Sequence, residues 1–290
     1  MDEGGFNFNI VIAGLGLIGG SYAKALRLLK NTKIYGIDID EEILKKAQKM
    51  AVIDEGYKDG NGILKKADLV IIALYPHDTV KFVKDNINNF KNGAVITDTC
   101  GVKEMVVEEI NSFLPQNVEF VASHPMAGKQ SCGFEISSGD IFKDADFVIT
   151  PSSKNSKKGI MIIEKLAKTI GCRNVICISP KDHDRIISYT SELPHALAAA
   201  LMQSGTFHAA DGLFTGGSFK DATRVADINP ELWAQLFTLN SDNVVYQIEK
   251  FQKALDSIKE AVKLHDEGTL KNIFAGAGQK KRKMILNEKH

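Results

Sequence analysis

Two of the three histidines that stand beside prolines in this 290-residue chain could serve as bases: His124 in "ASHPMAG" and His195 in "SELPH". Neutral imidazole can accept a proton near physiological pH, so each is a candidate base. Pro125 restricts His124 to extended backbone angles and so fixes where its ring points. Ala127 and Gly128 leave room beside it. His124 follows the apolar run "VEFVA", which predicts a place at the carboxyl edge of a sheet, where doubly wound folds bind ligands. On position alone, a histidine bonded into a turn fits as well. His195 falls in a helical stretch whose Pro194 cannot donate to the carbonyl of Thr190, so the helix kinks or that carbonyl is freed. His208 and His265 fall in helical segments and His290 ends the chain, which predicts solvated or structural roles.

A third reactive group is Arg224, at the end of "TGGSFKDATR". A guanidinium grips a carboxylate through two parallel hydrogen bonds, which a lysine cannot do. Ser218 and Asp221 have capping-box spacing, and Lys220 and Arg224 lie four apart on one helical face. The alternative is a surface ion pair with Asp221 or Asp227.

Near the N-terminus, "IVIAGLGLIGGS" places Gly14-Leu15-Gly16-Leu17-Ile18-Gly19 between a predicted strand and a predicted helix. Gly14 permits a tight turn, Gly16 lets backbone approach a pyrophosphate, and Gly19 lets helix and strand pack closely. The helix N-terminus offers free N–H groups and partial positive charge to the phosphates. Asp38, nineteen residues beyond Gly19, ends the next strand. A carboxylate there accepts from both ribose hydroxyls and repels a 2′-phosphate, so NAD is expected over NADP. His77, after "LYP" at the end of a later strand, falls near where a nicotinamide would lie.

The elements that must position these groups alternate up to residue 178. Short β-branched runs ("FNIVIAG", "KIYGID", "ADLVIIAL", "GAVITD", "NVEFVAS", "DFVIT", "RNVICI") are separated by helical stretches such as "GGSYAKALRLL", "EEILKKAQKM" and "VKEMVVEEINSF". This predicts an α/β, Rossmann-type, doubly wound and mainly parallel sheet with helices on both faces. After Ile178 strand signals stop. "SPKDHDR" reads as a helix start, with Ser179 capping, Pro180 first and Asp182 in the first turn. Long helical segments follow near 180–204, 230–265 and 267–285. We therefore expect a dinucleotide-binding domain over residues 1–178 and an all-α domain over 179–290.

With 36 basic and 36 acidic side chains, the chain carries no electrostatic footprint for nucleic acid or an anionic membrane. No apolar run approaches a membrane span, and the acidic N-terminus is unlike a secretory signal. The four cysteines (Cys100, Cys132, Cys172, Cys177) have no zinc-ligand spacing, so no metal site is expected. They read as free thiols in a reducing compartment, which points to the cytoplasm.

Taken in order, "GLGLIGGS", "ALYP", "SHPMAG", "LPH" and "GGSFKDATRVA" resemble the prephenate dehydrogenases, the TyrA family of tyrosine biosynthesis, over nearly the whole chain. The resemblance implies NAD-dependent oxidative decarboxylation of prephenate to 4-hydroxyphenylpyruvate, in a homodimer paired through the helical domain. It implies that His124 is the base for the 4-hydroxyl and that His195 helps hold the substrate. Arg224 would bind a substrate carboxylate, with Gly217 in the adjoining wall, and Leu74, Tyr75 and Pro76 would line the cofactor. Two positions depart from the pattern. Gly101 stands where many relatives carry a serine, so Thr99, Cys100 or a water must take over its role. Gln130 stands where several carry an acid; it borders the substrate side chain and gives an arogenate ammonium no charge partner, which favours prephenate. The alternatives are an arogenate dehydrogenase, another two-domain NAD-dependent dehydrogenase, or a catalytically silent NAD-sensing or scaffold protein.

Overall fold

The structure, a computed structural model, describes residues 8–29, 32–129, 132–205 and 209–287. Six short strands build the main sheet: β1 (Asn9–Ala13), β2 (Lys33–Ile37), β3 (Glu55–Tyr57), β4 (Leu69–Ile72), β5 (Val95–Asp98) and β6 (Glu119–Phe120). Their order is β3-β2-β1-β4-β5-β6, and every pairing is parallel. Between them run α1 (Leu17–Leu26), α2 (Glu41–Lys49), α3 (Pro76–Asp85) and α4 (Glu104–Phe113).

Successive strand residues point to opposite faces. Ile10, Ile12, Leu69 and Ile71 join one buried cluster with α1, while Val11, Ala13, Val70 and Ile72 join another with α3 and α4. Burial on both faces is the reason these strands read as unbroken apolar runs.

The run "NVEFVAS" does not form one strand. Its first part is β6, at the edge of the main sheet. Its second part, β7 (Ala122–Pro125), pairs antiparallel with β8 (Asp146–Thr150), and β9 (Asn174–Cys177) adds parallel to β8. His124 therefore lies inside a strand of a second sheet, opposite Val148, and not beyond the edge of the first. The short strand β3 also has no counterpart among the predicted runs.

Helix α5 (Lys157–Thr169) covers the second sheet, and helices α6 (Pro180–Ile187), α7 (Leu193–Ser204), α8 (Gly217–Thr223), α9 (Pro230–Leu239), α10 (Ser241–Lys263) and α11 (Glu267–Asn287) follow. Ser179 caps α6 by accepting from the Asp182 N–H, and Pro180 opens it. Helix α8 differs from the expected capping box: it begins at Gly217 after an N-cap at Gly216, with no side-chain cap. The expected helix over 230–265 is divided at Asn240. His265 sits in the left-handed region (φ 53°) just past α10, outside any helix. The chain forms two compact units, one up to Asn240 and one from Ser241 to His290.

Candidate active site

The glycine loop joins β1 to α1. Gly14 has φ +85°, and a Cβ there would lie 2.5 Å from the Ala73 carbonyl oxygen. A Cβ on Gly19 would fall 1.8 Å from the Gly14 oxygen, so no side chain fits between helix and turn. Gly16, by contrast, faces open space and gives α1 no side-chain cap. Leu17 and Ile18 thus open the helix with N–H groups aimed at that space. Asp38 follows β2 and reaches back into the loop, accepting from Leu15 N at 2.7 Å and from Asp40 N at 3.0 Å. Each oxygen keeps a lone pair for a ribose hydroxyl. These residues fit a dinucleotide.

The β4–α3 turn lies against this loop, with a Leu74 methyl 2.8 Å from where a Gly14 Cβ would be. The Tyr75 hydroxyl accepts from Asn229, Pro76 opens α3, and the His77 N–H donates to Gln235. Asn229 caps α9 and Gln235 lies within it, so α9 runs beside the cofactor turn.

His124 is partly buried, and its Nδ1 lies 2.9 Å from His183 Nε2. His183, fully buried on α6, places its own Nδ1 2.7 Å from Asp184 Oδ1. The two Asp184 oxygens also accept the N–H groups of Lys103 and Glu104, each at 2.8 Å, and so cap α4 from a neighbouring helix. Lys103 is itself buried, paired with Asp98 and donating to the Ser123 carbonyl at 2.6 Å. That pairing ties the end of β5 to β7, next to His124. Burial, with the charges of His183 and Lys103 adding, holds His124 well below the usual histidine range. Burial also lowers His183, against the pull of Asp184.

A Cβ on Gly101 would stand 3.9 Å from His124 Cε1 and 3.2 Å from a Leu236 methyl. Leu236 is one turn along α9 from Trp233, and Trp233 stacks on His195 with ring centroids 3.7 Å apart. One face of α9 therefore carries both Trp233, stacked on His195, and Leu236, which borders the Gly101 turn beside His124. The His195 Nδ1 donates to the Ser191 carbonyl at 2.8 Å, across a π-helical turn (Ser188–Glu192) that absorbs Pro194. The bonded carbonyl is Ser191's, one residue on from the Thr190 carbonyl that lies four before Pro194. Burial lowers the His195 pKa, and the nearby Arg224 charge lowers it further.

Arg224 is exposed at the end of α8, and Gly217 at its start faces open space. Thr99 is half-buried just past β5. Gln130 and His208 lie outside the described residues. Sequence reasoning missed His183, Asp184, Lys103 and Trp233. Its one usable signal was the His–Asp adjacency in "KDHD", which read as a helix start.

A parallel sheet with an uncapped glycine-loop helix, and a helix that runs beside its cofactor turn with a second histidine stacked on it, define a nucleotide-dependent oxidoreductase. Residues 22–176 match the family described as "Prephenate dehydrogenase, nucleotide-binding domain", and residues 179–276 match "Prephenate dehydrogenase, dimerization domain". The chain belongs to the prephenate dehydrogenase family. It is 31% identical to the prephenate dehydrogenase of Bacillus subtilis over 97% of this chain and 77% of that protein. The cyclohexadienyl dehydrogenase of Zymomonas mobilis is 27% identical, covering 97% of both chains. Among solved structures, prephenate dehydrogenase from Aquifex aeolicus in complex with hydroxyphenyl propionate and NAD+ aligns with a TM-score of 0.86 at 32% identity, covering 96% of this chain and 98% of that one.

Proposed function

We propose that this protein oxidatively decarboxylates prephenate to 4-hydroxyphenylpyruvate and CO2, using NAD+, in tyrosine biosynthesis. The observation that carries this reading is His124, a base kept neutral by its surroundings, beside the carboxyl end of β5 and within one helix face of His195. NAD+ bound at the glycine loop supplies the hydride acceptor. The Leu17 and Ile18 N–H groups would hold its pyrophosphate, and Asp38 would hold the ribose hydroxyls. His124 takes the proton of the 4-hydroxyl as hydride leaves C4, and returns it to the same oxygen as loss of CO2 forms the phenol. Arg224 pairs with a substrate carboxylate, and His195 orients the ring. Thr99 and Gly217 complete the wall. Aromatisation drives the step, so the protein's task is orientation, charge complementarity and one proton acceptor.

The matched ranges support a division near residue 178 between cofactor and substrate domains. The description of the second match as a dimerization domain supports a homodimer. Among the described residues no helix is long and apolar enough to cross a membrane, and all four cysteines are free. The free thiols support a cytoplasmic site of action.

The test follows NADH absorbance with prephenate or arogenate and with NAD+ or NADP+. Prephenate with NAD+ should give the highest kcat/KM. His124→Asn should lower kcat by roughly 10²–10⁴-fold while sparing NAD+ binding. Arg224→Ala should raise KM for prephenate far more than KM for NAD+. Absence of NADH with prephenate overturns the reading.

A further inference from the structure

We propose that His183, held by Asp184, is a positioning residue that locks His124 in its Nδ1–H tautomer and so presents the His124 Nε2 lone pair to the substrate hydroxyl. The inference deepens the reading above, on which the role of His124 as base rests.

A chain of hydrogen bonds runs outward from Asp184. Both of its oxygens accept backbone N–H groups at the start of α4, so the carboxylate is fixed in place and acts as an acceptor. The 2.7 Å contact with His183 Nδ1 then requires the proton on that nitrogen. A neutral imidazole protonated at Nδ1 carries its lone pair on Nε2. That nitrogen faces His124 Nδ1 at 2.9 Å, so His124 must donate. The remaining His124 nitrogen, Nε2, is left as the acceptor. Both rings are held below the usual histidine range by burial, which keeps the chain of neutral tautomers in place near pH 7.

Geometry gives His124 no other anchor. Its bond to His183 is the one hydrogen bond of its ring among the described residues. The turn beside it carries Gly101, which has no side chain to bond, and the space there is bordered by Leu236 methyls. The two imidazoles meet edge to face, at 65° with centroids 5.2 Å apart, which aims a ring N–H of one at a ring nitrogen of the other. When His124 accepts the proton at Nε2, its Nδ1–H bond to His183 becomes charge-assisted, and the Asp184 carboxylate stands behind it. The proton moves from substrate oxygen to Nε2, and none need move within the relay.

The titratable groups around the pair are Asp184 on α6, and Lys103 and Asp98 at the β5–α4 turn. Lys103 and Asp98 pair with each other, so Asp184 is the carboxylate bonded to the relay.

The test is ¹⁵N NMR of histidine-labelled protein, with kinetics on His183→Phe and His183→Gln. In the wild-type protein at neutral pH, His124 should show a protonated Nδ1 and a bare Nε2. His183→Phe should lose that tautomer preference and lower kcat roughly 10- to 1,000-fold with KM for NAD+ unchanged, since a wrong tautomer leaves binding intact. His183→Gln keeps a carbonyl acceptor and should recover part of kcat. A wild-type His124 protonated at Nε2 overturns the proposal, whether or not the variants fold. So does a His183→Phe enzyme with full kcat. The NMR result stands apart from turnover: a protein that fails to oxidise prephenate overturns the functional reading, while the tautomer still decides the relay.

Discussion

Asp38 sets which dinucleotide the loop takes. Its carboxylate is pinned by the Leu15 and Asp40 N–H groups, so it cannot swing away from a 2′-phosphate. Two negative charges at contact near a protein surface repel by a few kcal/mol, which is ample for discrimination. Asp38→Ser should therefore raise kcat/KM for NADP+ by about tenfold or more, equivalent to about 1.4 kcal/mol, and lower it for NAD+. Unchanged NADP+ kinetics would mean that another group excludes the phosphate. The loop and Asp38 were legible in the sequence because their demands are local. Gly14 and Gly19 are glycine for reasons of backbone geometry within a few residues or across one adjacent turn. His183 was not legible, because its partner lies 59 residues away and the contact depends on where α6 packs. An arginine, two prolines and a glycine loop announce chemistry by type; a buried histidine in a helix start does not.

At the level of elements, the π-helical turn before α7 joins the two halves of the site. It ends at Glu192, which is 1% exposed and accepts from the Asn240 side chain at 2.6 Å. The same Asn240 amide donates to the Asp184 carbonyl, so α6, α7 and the end of α9 meet at one amide. The other Glu192 oxygen has no hydrogen-bond partner among the described residues. Burial pushes the carboxyl up to about 8, against the Asn240 hydrogen bond and with the Asp184 charge adding. A carboxyl whose folded pKa exceeds its unfolded value binds more protons when folded, so stability falls as pH rises between 4.5 and about 8. Glu192→Gln removes that dependence. Melting temperatures of the two proteins should diverge in favour of the variant from about pH 5 to about pH 8. A constant difference across that range would show that Glu192 ionises normally. None of this was visible beforehand, since "SELPH" shows a helix proline without showing how the chain absorbs it. The split of "NVEFVAS" was hidden for a related reason. The apolar run has no break in type, and only its partners, β5 for one part and β8 for the other, divide it.

At the scale of the whole molecule, the unit from Ser241 onward holds two long helices that leave large apolar side chains in solvent. Leu255, Val262 and Phe274 are each more than half exposed, and Ile248, Leu255 and Val262 recur at seven-residue spacing along α10. Residues seven apart fall on one helical face, so α10 presents an apolar stripe. We expect such a stripe on a long helix to pair with a second copy. A formal net charge of zero puts no long-range repulsion in the way of a second copy. Light scattering on the purified protein should give twice the 31.8 kDa chain mass. Leu255→Asp with Val262→Asp should shift that mass to one chain, because pairing would bury unpaired carboxylates in an apolar seam. The Asp38 loop, His124 and His183 all belong to the other compact unit, so ¹⁵N signals from those histidines report whether the separated chains keep a folded site. A wild-type protein that remains a single chain at micromolar concentration, or a double variant that still pairs, would remove α10 from the interface.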